Sequence, residues 1–274
     1  MKFLPTTKEE MKNLGWDSID VLLISGDTYL DTSYNGSALV GKWLVEHGFK
    51  VGIIAQPEVD VPDDITRLGE PNLFFAISGG CVDSMVANYT ATKKRRQQDD
   101  FTPGGENNKR PDRAVLVYSN MVRRFFKGTT KKIVISGIES SLRRITHYDY
   151  WTNKLRKPIL FDAKADILSY GMGEMSMLQL ATALKNGEDW QNIRGLCYLS
   201  KENKENYLSL PSHSECLADK DKFIEAFHTF YLNCDPITAK GLCQKCDDRY
   251  LIQNPPSESY SEEIMDKIYA MEFA

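Results

Sequence analysis

Short apolar runs alternate with helical stretches through the first two thirds of the chain. Val21-Leu22-Leu23-Ile24-Ser25 is apolar up to its last position and ends at Gly26, which predicts a strand buried on both faces. Ala38, Leu39, Val40, Trp43, Leu44 and Val45 then recur at helical spacing, with Gly48 as the C-terminal cap. Val51-Gly52-Ile53-Ile54-Ala55 predicts a second strand, and the three elements together predict a right-handed parallel crossover. Pro62-Asp63-Asp64-Ile65 opens a short helix, and Leu73-Phe74-Phe75-Ala76-Ile77 is a third strand before Ser78-Gly79-Gly80. Thr92 to Pro111 is polar and punctuated by Gly and Pro, a long loop of the kind that is either functional or disordered. A helix from about Asp112 to Phe126 leads to the strand Ile133-Val134-Ile135. Ala165 to Tyr170 is a fifth strand, and after Gly171-Met172-Gly173-Glu174 a helix runs to about Lys185.

Beyond Lys185 the alternation weakens. Leu196 to Ser200 and Tyr207 to Leu210 read as strands of a small hairpin, Asp221 to Leu232 as an amphipathic helix, and Tyr250-Leu251-Ile252 as a strand. A last helix follows Ser261, an N-cap with Glu262 and Glu263 in the first turn. The pattern predicts an α/β fold: a Rossmann-like, mainly parallel sheet with helices on both faces over residues 1–190, and a small C-terminal α+β extension over 191–274. Ligands of open parallel sheets sit beyond the carboxyl ends of the strands, so the loops after Ser25, Ile77, Ile135 and Tyr170 are where binding residues are expected.

Composition adds bounds rather than chemistry. With 274 residues, 42% hydrophobic and 26% charged, the chain can form one large domain or one with an appendage, and is not disordered. No stretch approaches the ~20 apolar residues of a membrane span, and the first ten residues lack the apolar core of a signal peptide. A cytoplasmic protein with no membrane partner is expected. The six scattered cysteines read as reduced thiols unless a metal claims some. The net charge of −4 conceals an asymmetry: Lys93 to Arg113 has seven basic and four acidic residues, Glu139 to Lys164 has six and three, and Lys201 to the end has eight and fourteen. The middle of the chain can face an anion, whereas its tail is acidic.

Several motifs can carry chemistry. Cys243-x-x-Cys246 has zinc-ligand spacing, and Cys216, Cys234, His213 or His228 would have to complete four ligands. The competing reading is ordinary thiols. Gly171-x-Gly173 opens a helix where an anion can meet free N–H groups, but Ser176 replaces the third glycine of the dinucleotide fingerprint. A tight turn explains the glycines as well, and no nicotinamide or flavin dinucleotide is expected. The basic loop Lys93-Lys94-Arg95-Arg96 is either a solvated loop or a contact for a phosphate-rich partner. Arg143-Arg144 with His147, Tyr148, Tyr150 and Trp151 interleaves cations and rings, as RNA or nucleotide contacts do, or packs a connection with snorkelling arginines. Asp27 and Asp31 can do acid–base work, hold a cation, cap a loop or pair with these arginines. If the first and fourth strands are neighbours, Asp27, Tyr29, Asp31, Glu139, Arg143, Arg144, His147 and Tyr148 converge at the carboxyl edge, as a ligand or docking site or as an ion-pair network.

Longer segments resemble a known family. Phe3-Leu4-Pro5-Thr6-Thr7, Gly52-Ile53-Ile54-Ala55-Gln56-Pro57, Asp83-Ser84-Met85-Val86, Arg110-Pro111-Asp112-Arg113-Ala114, Gly137-Ile138-Glu139-x-Ser141-Leu142-Arg143-Arg144-Ile145-x-His147-Tyr148-Asp149-Tyr150-Trp151 and Asn254-Pro255-Pro256 are similar to the YgiQ family of radical SAM proteins. The resemblance covers nearly the whole chain. It implies a Rossmann-like front domain of cobalamin-binding type, followed by a radical SAM barrel with a [4Fe–4S] cluster on Cys-x-x-x-Cys-x-x-Cys and S-adenosylmethionine. No two cysteines here are four residues apart, so no cluster is expected in this chain. The cobalamin pattern Asp-x-His-x-x-Gly overlays Asp31-x-Ser33-x-x-Gly36, without the histidine. The chain reaches Ala274 where the family's linker into the barrel begins, which reads as a front-domain fragment. Three functions follow: a domain docking substrate or cofactor against a barrel outside this chain, a stand-alone RNA- or nucleotide-binding module using 93–113 and 143–157, or a small enzyme using Asp27 or Asp31.

Overall fold

Every position of β1 (Val21–Ser25) is buried, because it is an inner strand with a neighbour on each side. The computed structural model describes residues 3–274. Its elements in chain order are α1 (Lys8–Asn13), β1, α2 (Gly36–Glu46), β2 (Val51–Ala55), α3 (Pro62–Thr66), β3 (Phe74–Ser78), α4 (Ser84–Asn88), α5 (Ala114–Phe125), β4 (Lys132–Ser136), α6 (Gly137–Ser141), β5 (His147–Asp149), β6 (Lys154–Arg156), α7 (Ile159–Ala163), β7 (Ile167–Ser169), α8 (Glu174–Asn186), β8 (Leu196–Ser200), β9 (Leu208–Leu210), α9 (His213–Ala218), α10 (Lys220–Tyr231), β10 (Leu242–Cys246), β11 (Arg249–Gln253) and α11 (Glu262–Tyr269).

Nine strands form one sheet in the order β2-β1-β3-β4-β7-β8-β11-β10-β9, and β5 and β6 form a separate hairpin. The five strands from β2 to β7 are all parallel. Their spatial order is that of a doubly wound sheet with its switch point between β1 and β3. Alternation along each strand sends side chains to two faces. Leu22, Ile24, Phe75, Ile77, Ile133 and Ile135 enter the core under α5 and α7, while Val21, Leu23, Phe74, Ala76 and Val134 enter the core under α2 and α8. The fold is α/β with helices on both faces, as the sequence pattern predicts.

Beyond β7 the sheet continues without a break: β8 runs antiparallel to β7, β11 antiparallel to β8, and β10 antiparallel to β11. The expected hairpin of Leu196–Ser200 with Tyr207–Leu210 does not form. β8 lies between β7 and β11, and β9 pairs in parallel with β10 at the far edge. An apolar strand can satisfy its ladder with a distant partner as readily as with the next segment, so adjacency in sequence does not decide pairing. No described helix is long and apolar enough to cross a membrane.

Strand alternation also bears on Cys243-x-x-Cys246. Both cysteines lie on β10, three positions apart, and so point to opposite faces. Cys243 packs with Tyr198 and Ile252, whereas the Cys246 thiol feels Asp247 and Lys157. They cannot close on one ion, and no cluster of three metal-ligating side chains occurs among the described residues.

Candidate functional site

The carboxyl ends of β1, β3, β4 and β7 surround a cavity of about 340 Å³. Its walls come from the four turns that follow those strands and from the first turns of α2 and α8. Asn35 caps α2 by accepting from the Ser37 and Ala38 N–H groups, while Gly173 caps α8 with no side-chain bond. Gly171 adopts φ +74°, so the tight turn predicted there exists and its Gly173 lines the cavity.

The turns after β1 and β3 pass so close that only glycine fits. A Cβ at Gly26 would overlap the Gly79 carbonyl oxygen, and Gly80, at φ +110°, lies against the Asp27 carboxylate. Asp27 is buried; one oxygen accepts from the Cys81 N–H at 2.6 Å, and the other lies 2.6 Å from Arg110 Nη1. Arg110 is fully buried, donates to the Gly79 carbonyl at 2.7 Å and binds Asp99 at 3.3 Å. Asp99 in turn accepts from the Phe101 N–H and the Thr102 hydroxyl. One guanidinium therefore ties the long polar loop to the turns beneath the cavity, and the segment 99–110 is held in place.

Glu139 sits on the other side of Gly79. It is buried and accepts from the Ser84 and Val115 N–H groups, and burial, with Asp83 nearby, raises its pKa. Asp83 caps α4 and pairs with Arg143, which also donates to the Glu139 carbonyl. His147 borders the same corner, beside Glu139, Arg143 and Arg156. Burial, with Arg143 adding to it, pushes its pKa down to about 4 despite the bond to the Ile145 carbonyl, so the ring is neutral at pH 7.

The remaining predicted site residues disperse. Because β3 lies between β1 and β4, the acidic loop does not meet the two arginines. Asp31 instead pairs with buried Lys42 at 2.6 Å and accepts from the Tyr29 hydroxyl and the Ala274 N–H. Burial raises the Asp31 pKa, but these three bonds outweigh it and hold the carboxyl below its usual range. Tyr29 is pushed upward by burial and by Asp31. Arg144 donates to Gln253, stacks over Tyr170 and Phe230 at 4.5 and 4.3 Å, and has no carboxylate partner among the described residues. Tyr148 is half-exposed and donates to Asn153. The basic loop Lys94, Arg95 and Arg96 is exposed, and its neighbours Tyr89, Ala91 and Lys93 contact Tyr150 and Trp151 in the turn of the β5–β6 hairpin. Sequence reasoning missed Arg110, Asp99, Asp83 and Lys42.

The donor set does not suit the groups implied by the family resemblance. Cys81 rims the cavity, where burial and Asp27 raise its pKa to about 11, and no other cysteine lines the cavity. A [4Fe–4S] cluster needs three thiolates converging on one point, which this chain does not provide. At Asp31-x-Ser33 no imidazole is present, and Asp31 is occupied by Lys42, so these residues offer no lower ligand to cobalt.

The chain is 96% identical over 274 residues to a UPF0313 protein of Fusobacterium nucleatum, covering 100% of this chain and 48% of that protein. It is 49% identical to a UPF0313 protein of Thermotoga petrophila, covering 99% of this chain and 48% of that one. A UPF0313 protein of Methanocaldococcus jannaschii is 47% identical over 280 residues, with 45% of it covered. The chain thus spans about half the length of the curated relatives it matches. Among solved structures, a radical S-adenosylmethionine methyltransferase, TsrM from Kitasatospora setae with cobalamin and a [4Fe–4S] cluster bound, aligns at a TM-score of 0.44 and 16% identity, covering 69% of this chain and 28% of that one. Residues 3–274 match the family described as Radical SAM N-terminal, and with relatives this similar along its whole length the chain belongs to that family.

Proposed function

We propose that this chain is the docking domain of a radical SAM protein, holding part of a substrate or cofactor in the carboxyl-edge cavity and presenting it to a barrel that lies outside this chain. The cavity carries this reading. It is about 340 Å³, stands at the switch point of a doubly wound sheet, and is framed by glycine turns that let a ligand approach the backbone. Tyr34, Ile138 and Met172, all on its rim, are 78%, 42% and 47% exposed, an apolar border suited to a covering domain. The cluster and S-adenosylmethionine chemistry belongs to the barrel, because this chain lacks the thiolates for it.

Amide hydrogen exchange on the full-length Fusobacterium nucleatum relative and on this chain alone tests the reading. The turns after β1, β3, β4 and β7 should exchange about tenfold more slowly in the longer protein, while the amino-edge loops before β2, β3 and β4 stay unchanged. Equal protection at the carboxyl edge would place the barrel elsewhere and remove the docking role.

A further inference from the structure

Two segments about 55 residues apart, both basic and both outside the cavity site, form a single surface. Lys93, held at φ +61°, donates its ammonium to the carbonyls of Tyr150 and Trp151 at 3.1 and 3.3 Å and stands 4.6 Å from the Tyr150 ring centre. The Tyr150 hydroxyl returns a bond to the Ala91 carbonyl at 2.9 Å, and the rings of Tyr89 and Trp151 meet at 4.8 Å. The loop and the β5–β6 hairpin are thereby fixed against each other.

We infer that this platform, residues 89–96 with 148–157, binds single-stranded nucleic acid. The first segment carries four basic residues and the second three, with Asp149 the one acidic residue within them, in a chain whose net charge is −4; Arg95, Arg156 and Lys157 pair with Asp112, Asp162 and Asp247 outside the segments. Asp149 is itself neutralised by Arg113 at 2.9 Å. Lys94 and Lys154 are exposed and have no carboxylate partner among the described residues, and Arg96 donates only to the Val86 and Tyr89 carbonyls. Three cations are thus left to meet phosphates on the same clamped pair of segments that exposes Tyr148 and Tyr150, which are 51% and 50% exposed and have their hydroxyls tied down.

Phosphate contacts and ring stacking together are what an unpaired strand uses. A duplex keeps its bases stacked and cannot use the rings. An acidic peptide would use the cations but gain nothing from the rings. A bilayer would require apolar insertion, whereas these rings are held by hydroxyl bonds at their tips.

Fluorescence anisotropy of this chain with labelled oligouridine and oligothymidine dodecamers is the test. Three phosphate contacts predict a slope of about −2 in log affinity against log salt, an affinity loss of about 20-fold from about 50 to 200 mM KCl. Lys94→Ala with Lys154→Ala should weaken binding and flatten the slope by about 1.4. Tyr148→Ala with Tyr150→Ala should weaken it at least about 30-fold at an unchanged slope. Binding of either oligomer supports the inference, and their ratio shows whether the 2′-hydroxyl is read. Circular dichroism checks each variant; should the tyrosine variant unfold, the exposed lysine pair remains decisive. Absence of binding at the lowest salt, variants that bind as well as the parent, equal competition by polyglutamate, or preference for phosphatidylserine vesicles would each overturn it.

Discussion

Replacing Arg110 with methionine is expected to lower folding stability by about 3–5 kcal/mol, because it leaves buried carboxylates without their counter-charge. The side chains of Arg110, Asp27 and Asp99 are 0%, 3% and 2% exposed, so water cannot take over the lost interactions. The Gly79 carbonyl loses its donor as well. Methionine roughly matches the aliphatic stem, so the loss measures charge and hydrogen bonding rather than a cavity. Urea denaturation of the single variant, and of the same variant with Asp27→Asn and Asp99→Asn, separates the contributions. The asparagines remove the buried charge and should recover part of the loss. A single-variant effect below about 1 kcal/mol would show that the network adds little to stability. Because Arg110 joins the 99–110 loop to the turns under the cavity, the same variant should also speed amide exchange in that loop.

The parallel half of the fold is legible because its strands are short, apolar and bounded by glycine, and α2 and α8 carry apolar stripes of helical period. The C-terminal half is less so. β10 reads Leu-Cys-Gln-Lys-Cys, with a polar Gln244 that is nonetheless fully buried, accepting from the Thr146 N–H and donating to the Pro211 carbonyl. Its burial depends on partners about 98 and 33 residues away, which no local pattern encodes.

The candidate site divides in the same way. Asp27 and Glu139 are legible as carboxylates placed just after strand ends, and both flank the Gly79 turn. Their partners are not legible, because pairing needs strand order, and β3 separates the loops expected to meet. Arg110 is one of seven basic residues in a polar stretch and nothing local marks it as the one that is buried. Lys42 did leave a signal. It lies between Gly41 and Trp43 on the apolar face of α2, where a cation must find a partner, here Asp31. Asp83 left another, as an Asp directly before a short helix is an N-cap in waiting.

Lowering the pH from about 6.5 to 4 is expected to remove about 3 kcal/mol of stability through His147 alone. Its folded pKa of about 4 lies below the ordinary 6.5, so across that interval the unfolded chain binds a proton that the folded chain refuses. The stability it contributes is therefore complete above 6.5 and lost as pH falls toward 4. His213 is also pushed downward by burial and acts in the same direction, whereas buried Glu139, raised by burial, acts in the opposite one. Asp149, held at about 2 by Thr152 and Arg113 despite its burial, loses its contribution only at lower pH. The difference between the parent and His147→Asn isolates the imidazole, since asparagine can still donate to the Ile145 carbonyl but does not titrate. That difference should change by about 3 kcal/mol between pH 7 and 4 in urea titrations, and a difference independent of pH would refute the assignment. A charged ring would stand beside Arg143 and Arg156, and Arg143 pairs with Asp83, the N-cap of α4. Acidification should therefore loosen the 139–147 segment before the strands, visible as faster amide exchange there in the parent and not in the variant.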